Sequence, residues 1–187
     1  MSRPEADTVY LALRRACVKY PFDVLIEMCT FSDLVHSEIR LGPSCSYAAY
    51  RGRVPCFLEA TPVPTPHPDW VVFVIPVTDF DTAAKFLHEI RDAALPYRFP
   101  WDCGVPQCVL REVDTDLDCT RPNTWGSIFC SQSSLLFLRR CAKQGMLPGL
   151  DTGPLFADDS KGVSPARIYD ILEQMGIQPL PDVCPSV

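Results

Sequence analysis

FCSQSSLLFLRRCAKQG (129–145) is the stretch on which the reading of this chain turns. Its apolar stripe runs through Ser134 or Leu135, Phe137 or Leu138, Cys141 and Ala142, which is helical spacing, and predicts a helix from about 130 to 144 closed by Gly145. Cys130 and Ser131 precede that stripe, in the first turn. A thiol there meets backbone N–H groups that have no partner inside the helix, and the positive end of the helix dipole. Both favour a thiolate, and the same N–H groups can stabilise an oxyanion formed when a thiolate attacks a carbonyl. Position alone leaves two readings open: a small core residue at a strand–helix junction, or a nucleophile.

Composition narrows the possibilities. The chain has 187 residues, enough for one domain with a real core, so 1–187 is read as a single domain. The apolar share of 47% and charged share of 21% are those of a globular protein. A net charge of −6 with 17 basic residues and no basic patch argues against nucleic-acid binding. No window approaches the ~18 apolar residues of a membrane span, and the N-terminal stretch, which carries acidic residues and no clean apolar run, does not read as a signal peptide. Ten cysteines are therefore taken as thiols in a reducing compartment, and the expected location is cytoplasmic. The 19 prolines gather in connections such as TPVPTPHPDW (61–70), where loop 61–69 offers a docking segment for a protein partner.

Along the chain, residues 6–19 read as a short amphipathic helix and FDVLIEMCT (22–30) as a buried strand. LVHSEIRLG (34–42) alternates, with Val35, Ser37, Ile39 and Leu41 on one face. Leu34, His36, Glu38 and Arg40 form the other, expected toward solvent or a cleft. Short strands follow near 45–50 and 56–60. WVVFVIPV (70–77), apolar on both faces, is expected at the sheet centre. Helices are expected over 79–95, capped by Asp79 or Asp81, and over 164–176, where Ser164 caps and Pro165 takes the first position. Residues 96–124 read as irregular and 177–187 as a loose tail. The order gives an α+β fold.

A nucleophilic cysteine needs a base, and the chain has three histidines. His67 is hemmed by prolines, and His88 sits on a solvated helix face. His36 stands on the polar face of a strand, where a rigid backbone can hold it. It reads either as an ordinary exposed strand residue or as the base of a Cys–His pair.

Two segments, TFSDLVHSEIRLG (30–42) and FCSQSSLLFLRR (129–140), in that order, resemble the circularly permuted branch of the papain-like NlpC superfamily, found in bacteria and poxviruses. There an N-terminal strand carries the histidine and a late helix the cysteine. VSPARIYDIL (163–172) and ALPYRF (94–99) are similar to further motifs of the group. Ser37 and Gln132 depart from the residues usual at their positions. The resemblance implies an antiparallel sheet packed against the cysteine helix, and a thiol hydrolase or acyltransferase acting on peptide, amide or lipid-ester bonds. It implies Cys130 and His36 as catalytic pair and Glu59, in CFLEATP (56–62), as the group orienting the imidazole. If CSYAAY (45–50) is instead the strand beside the histidine strand, Ser46 or Tyr47 takes that place and Glu59 is peripheral. Tyr97, with Ser131 in the first helical turn, would line the oxyanion and substrate site. No metal or other cofactor is implied, and a viral origin would place the enzyme in host cytoplasm.

Two other readings stand beside this one: a catalytically silent scaffold on the same fold, and a zinc-dependent interaction module. Cys103, Cys108, Cys119 and Cys130 lack the close C-x2-C pair that structural zinc sites usually show.

Overall fold

Val9, Leu11 and Leu13 alternate with Tyr10 and Ala12, and that period of two makes Asp7–Arg15 a strand, β1, where a helix was expected. Both faces are used. The odd residues are fully buried in the main core, whereas Ala12 and Tyr10 pack against Trp70 and Val72. A helix would have buried a single stripe and exposed the rest. The computed structural model describes residues 7–17, 19–42, 45–50, 57–60, 67–92, 130–157 and 163–181.

The next expectation inverts in the same way: Pro21–Thr30 is a helix, α1, where a strand was expected. Pro21 occupies the first turn, where its missing N–H costs nothing, and Asp23 lies at the positive end of the dipole. Phe31 ends α1 in the left-handed region, at φ 52. Strands β2 (Leu34–Arg40), β3 (Ser46–Ala49), β4 (Phe57–Ala60) and β5 (Trp70–Val77) then complete an antiparallel sheet in the order β4-β3-β2-β1-β5.

β5 stands at the sheet edge rather than its centre. Its apolar run has another cause: Phe73, Ile75 and Val77 enter the main core, while Trp70 and Val72 cover the far face. The segment after the last helix runs along its open side. Pro179 bridges Phe73, and the Leu180 amide donates to the Val72 carbonyl at 2.7 Å. The beginning of the expected loose tail is thus docked, which protects an edge strand from pairing with other chains.

Three helices pack on the odd face. In α2 (Phe80–Asp92) the Asp79 carboxylate accepts from the Thr82 N–H at 2.9 Å. In α4 (Pro165–Gln174) Ser164 accepts from the Arg167 N–H at 3.2 Å. Such caps contribute about 1 kcal/mol each. Between them lies α3 (Cys130–Lys143), buried almost continuously from Cys130 to Arg139. Its Leu135, Phe137, Leu138 and Cys141 meet Leu87 and Ile90 of α2 and Ile168 and Leu172 of α4 in one core. The architecture is α+β: an antiparallel sheet with α3 laid across the face of β2 and β3.

Candidate active site

The first turn of α3 is polar and yet buried, an expensive combination unless every group finds a partner. The Ser133 and Ser134 hydroxyls donate back to the Cys130 carbonyl at 2.6 and 3.2 Å. Ser134 Oγ also meets Ser37 Oγ of β2 at 2.9 Å, and the Ser131 hydroxyl donates to the Val163 carbonyl. Cys130 is the first residue of the helix and 5% exposed. Burial pushes its thiol up, and hydrogen bonds from the Ser37 and Ser131 backbone and the Ser37 hydroxyl pull the other way. The net shift is upward, so the resting group is a neutral thiol.

His36 is held one residue before Ser37. On β1, Arg14 opposes His36 and Leu13 opposes Ser37, so the two β2 side chains leave the strand on opposite faces. The ladder is irregular just beyond, between Arg14 and Arg15, where β2 carries one extra residue. Ser37 turns toward α3. His36 turns to the face of Arg14 and Trp70, half-buried, with its ring 5.6 Å from Tyr50 and 6.3 Å from Trp70. This face was expected to look toward solvent or a cleft, but Glu38 and Arg40 lie buried on it. They pair with each other at 2.6 Å, and the Arg40 guanidinium stacks 4.8 Å from the Trp70 ring. Burial first, and then the charge of Arg14, lowers the His36 imidazole to about 4, against a smaller opposing pull from Asp23. At neutral pH the ring is uncharged and able to accept a proton.

Arg14 and Asp23 are residues that the sequence reading passed over. Both guanidinium Nη atoms meet the Asp23 carboxylate, at 2.6 and 2.9 Å, and the Cys17 N–H donates to the same carboxylate at 3.0 Å. Asp23 is 4% exposed. The Arg14 charge acts on the His36 imidazole, which it faces across the β1–β2 ladder. Among the described residues no hydrogen bond joins the His36 ring to Cys130. β3 pairs with β2 only at Ile39 and Arg40, so the edge of β2 beside His36 lies outside that ladder.

Glu59 goes elsewhere. β3 is the strand beside β2, and Glu59 on β4 pairs with Tyr47, itself opposite Ile39. Two strands across and three residues along, it is roughly 14 Å from His36 between Cα atoms. It is therefore not brought to the imidazole as an orienting group. Its carboxylate accepts from the Tyr47 hydroxyl at 3.2 Å, and that hydroxyl meets His88 Nε2 at 2.9 Å. Ser46 donates to the Ala60 carbonyl and also lies away from His36. Tyr97, Cys103, Cys108 and Cys119 fall outside the described residues, as does most of loop 61–69. Among the described residues no three His, Cys, Asp or Glu side chains cluster as a metal site requires, and Cys17, Cys45, Cys130 and Cys141 are free thiols.

No helix among the described residues is long and apolar enough to cross a membrane. No family model, curated protein or solved structure matches the chain.

Proposed function

We propose that the chain is a cysteine-dependent hydrolase or acyltransferase on a permuted papain-like fold, with Cys130 as nucleophile and His36 as base. The observation that carries this reading is a thiol at the first residue of a buried helix, seated on the residue next to a neutral imidazole. The element order agrees with it: the histidine strand precedes the cysteine helix, and the two pack together.

Both groups start uncharged, so the reaction begins with general-base catalysis rather than with a standing ion pair. His36 takes the Cys130 proton as sulfur attacks the carbonyl carbon of an amide, peptide or lipid ester. The Cys130 and Ser131 N–H groups at the helix start receive the oxyanion. The imidazolium returns the proton to the leaving amine or alcohol, and water or another acceptor then releases the acyl group from sulfur. The first transfer requires the ring, which faces Arg14 and Trp70, and the thiol, on the α3 side of β2, to come within hydrogen-bond reach.

A second reading, a catalytically silent scaffold on the same fold, is favoured by the outward turn of His36 toward Arg14 and Trp70. Labelling with an acyl-type electrophilic probe, mapped by mass spectrometry, separates the two. The enzyme reading expects Cys130 to be modified fastest of the ten cysteines, and at least tenfold slower in folded His36→Ala. Equal labelling in the two proteins would leave the scaffold.

A further inference from the structure

We propose that Ser37 is a switchable partner of the Cys130 sulfur: its hydroxyl accepts from the thiol at rest and turns to donate to the sulfur once the thiol proton has left. The inference rests on the reading of Cys130 as nucleophile, and adds the group that lets a buried thiol ionise. Ser37 and Ser134 face each other between β2 and α3, at 0% and 1% exposure. Hydroxyls buried so deeply place their protons and lone pairs on one another and on the groups beside them.

Each hydroxyl has a single proton to give. That of Ser134 goes to the Cys130 carbonyl at 3.2 Å, because a carbonyl only accepts. In the 2.9 Å contact between the two serines, Ser134 Oγ is therefore the acceptor and Ser37 the donor. Ser37 is also hydrogen-bonded to the Cys130 sulfur, through its N–H and through its hydroxyl. With its proton committed to Ser134, Ser37 Oγ offers the sulfur a lone pair, and the neutral thiol donates to it. The bonds close a ring, from the Cys130 S–H through Ser37 and Ser134 to the carbonyl of Cys130 itself. The Ser133 hydroxyl ends on that carbonyl too, at 2.6 Å, but stands outside the ring.

Loss of the thiol proton reverses the demand at sulfur, since a thiolate only accepts. Rotation of the Ser37 hydroxyl about its Cβ–Oγ bond turns the O–H onto sulfur with no heavy atom displaced. Ser134 Oγ gives up a neutral hydrogen bond, and the thiolate gains a charge-assisted one beside those from the Ser37 and Ser131 N–H groups. The thiol proton goes to the base of the reaction, and Ser37 keeps its own throughout. The charged and titratable side chains of this part of the sheet, Arg14, His36, Glu38 and Arg40, lie on its opposite face, with Asp23 on Arg14. The donors on the α3 side are neutral hydroxyl and amide groups.

The test is the pH dependence of Cys130 alkylation by iodoacetamide in the full chain, quantified on its own peptide. The plateau rate at high pH reports access to the thiol, and the midpoint reports its ionisation. Ser37→Ala keeps the N–H and removes the hydroxyl, so the midpoint is expected to rise by about one pH unit, with roughly tenfold slower labelling at pH 7. Ser134→Ala frees the Ser37 hydroxyl from its acceptor, so ionisation no longer breaks a bond and the midpoint is expected to fall by about half a unit. Ser37→Thr retains the hydroxyl and should keep the midpoint near its original place, as should Ser133→Ala, outside the ring. Shifts of the same sign in Ser37→Ala and Ser134→Ala, or no shift in either, would overturn the switch and leave the serines as packing partners. Should Ser37→Ala fail to fold, Ser134→Ala alone decides, since it places the best helix former inside α3, and a midpoint that rose or stayed there would refute the switch. Opposite shifts in a chain that hydrolyses no thioester or amide probe would retain the switch and remove the hydrolase reading.

Discussion

Acidification from pH 7.5 to pH 3.5 tests the burial of His36 directly. The free imidazole titrates near 6.5 and the folded ring near 4. Above about 6.5 the ring is neutral in both folded and unfolded chains, and its contribution to stability does not depend on pH. Between 6.5 and 4 the unfolded chain binds a proton that the folded chain refuses, so stability falls as pH falls. Below 4 both states are protonated and the loss is complete. The difference in titration point sets the full loss at no more than about 3.4 kcal/mol, an upper bound because the ring is only half-buried. Equilibrium urea unfolding followed by tryptophan fluorescence measures it, with His36→Gln as the non-titrating reference. The reference carries every other acid-sensitive group, including the buried Glu38, so subtracting it isolates the ring. A wild-type-minus-variant difference that stays flat over this range, or grows as pH falls, would refute the assignment of His36 as a buried neutral base.

Three further outcomes are expected. Tyr47→Phe removes the hydroxyl that joins Glu59 to His88 and should cost about 1 kcal/mol in urea unfolding. Phe31→Gly should stabilise the chain by up to about 1 kcal/mol in the same assay, because Phe31 adopts φ 52 and is 96% exposed, so little burial is lost. Cys141, fully buried and with its thiol pushed up to about 12, should resist alkylation at pH 8 until the protein unfolds, while Cys130 labels in the folded state.

The parts legible in the sequence were those that carry their own punctuation. Ser164 and Pro165 announce α4, Asp79 announces α2, and Gly145, at φ 66, closes α3. The alternation of β2 is equally explicit. Residues 6–30 misled because strand and helix were inferred from local apolar runs, whereas tertiary placement decided the outcome. Val9, Leu11 and Leu13 are a strand because β2 and β5 flank them, and Val24 and Ile26 lie in a helix because Pro21 starts one. The order of the histidine strand and the cysteine helix was legible along the chain, and β2 does precede α3. Arg14 and Asp23 were not, since nine residues separate them on two elements whose types were exchanged. Glu59 was assigned on motif likeness, and the strand order removed it from the imidazole.

The hydroxyl-rich start of α3 has a consequence for how this helix can move. Hydrocarbon contacts tolerate sliding by fractions of an ångström, but hydrogen bonds are directional and fail together when a helix shifts along its axis. Ser131 and Ser134 anchor the same turn to the segment before α4 and to β2. Amide hydrogens in the following turn, from Ser134 to Phe137, should therefore exchange with solvent only through global unfolding. The end of α3 that presents the thiol would be the last part of the helix to fray, although helix ends ordinarily fray first.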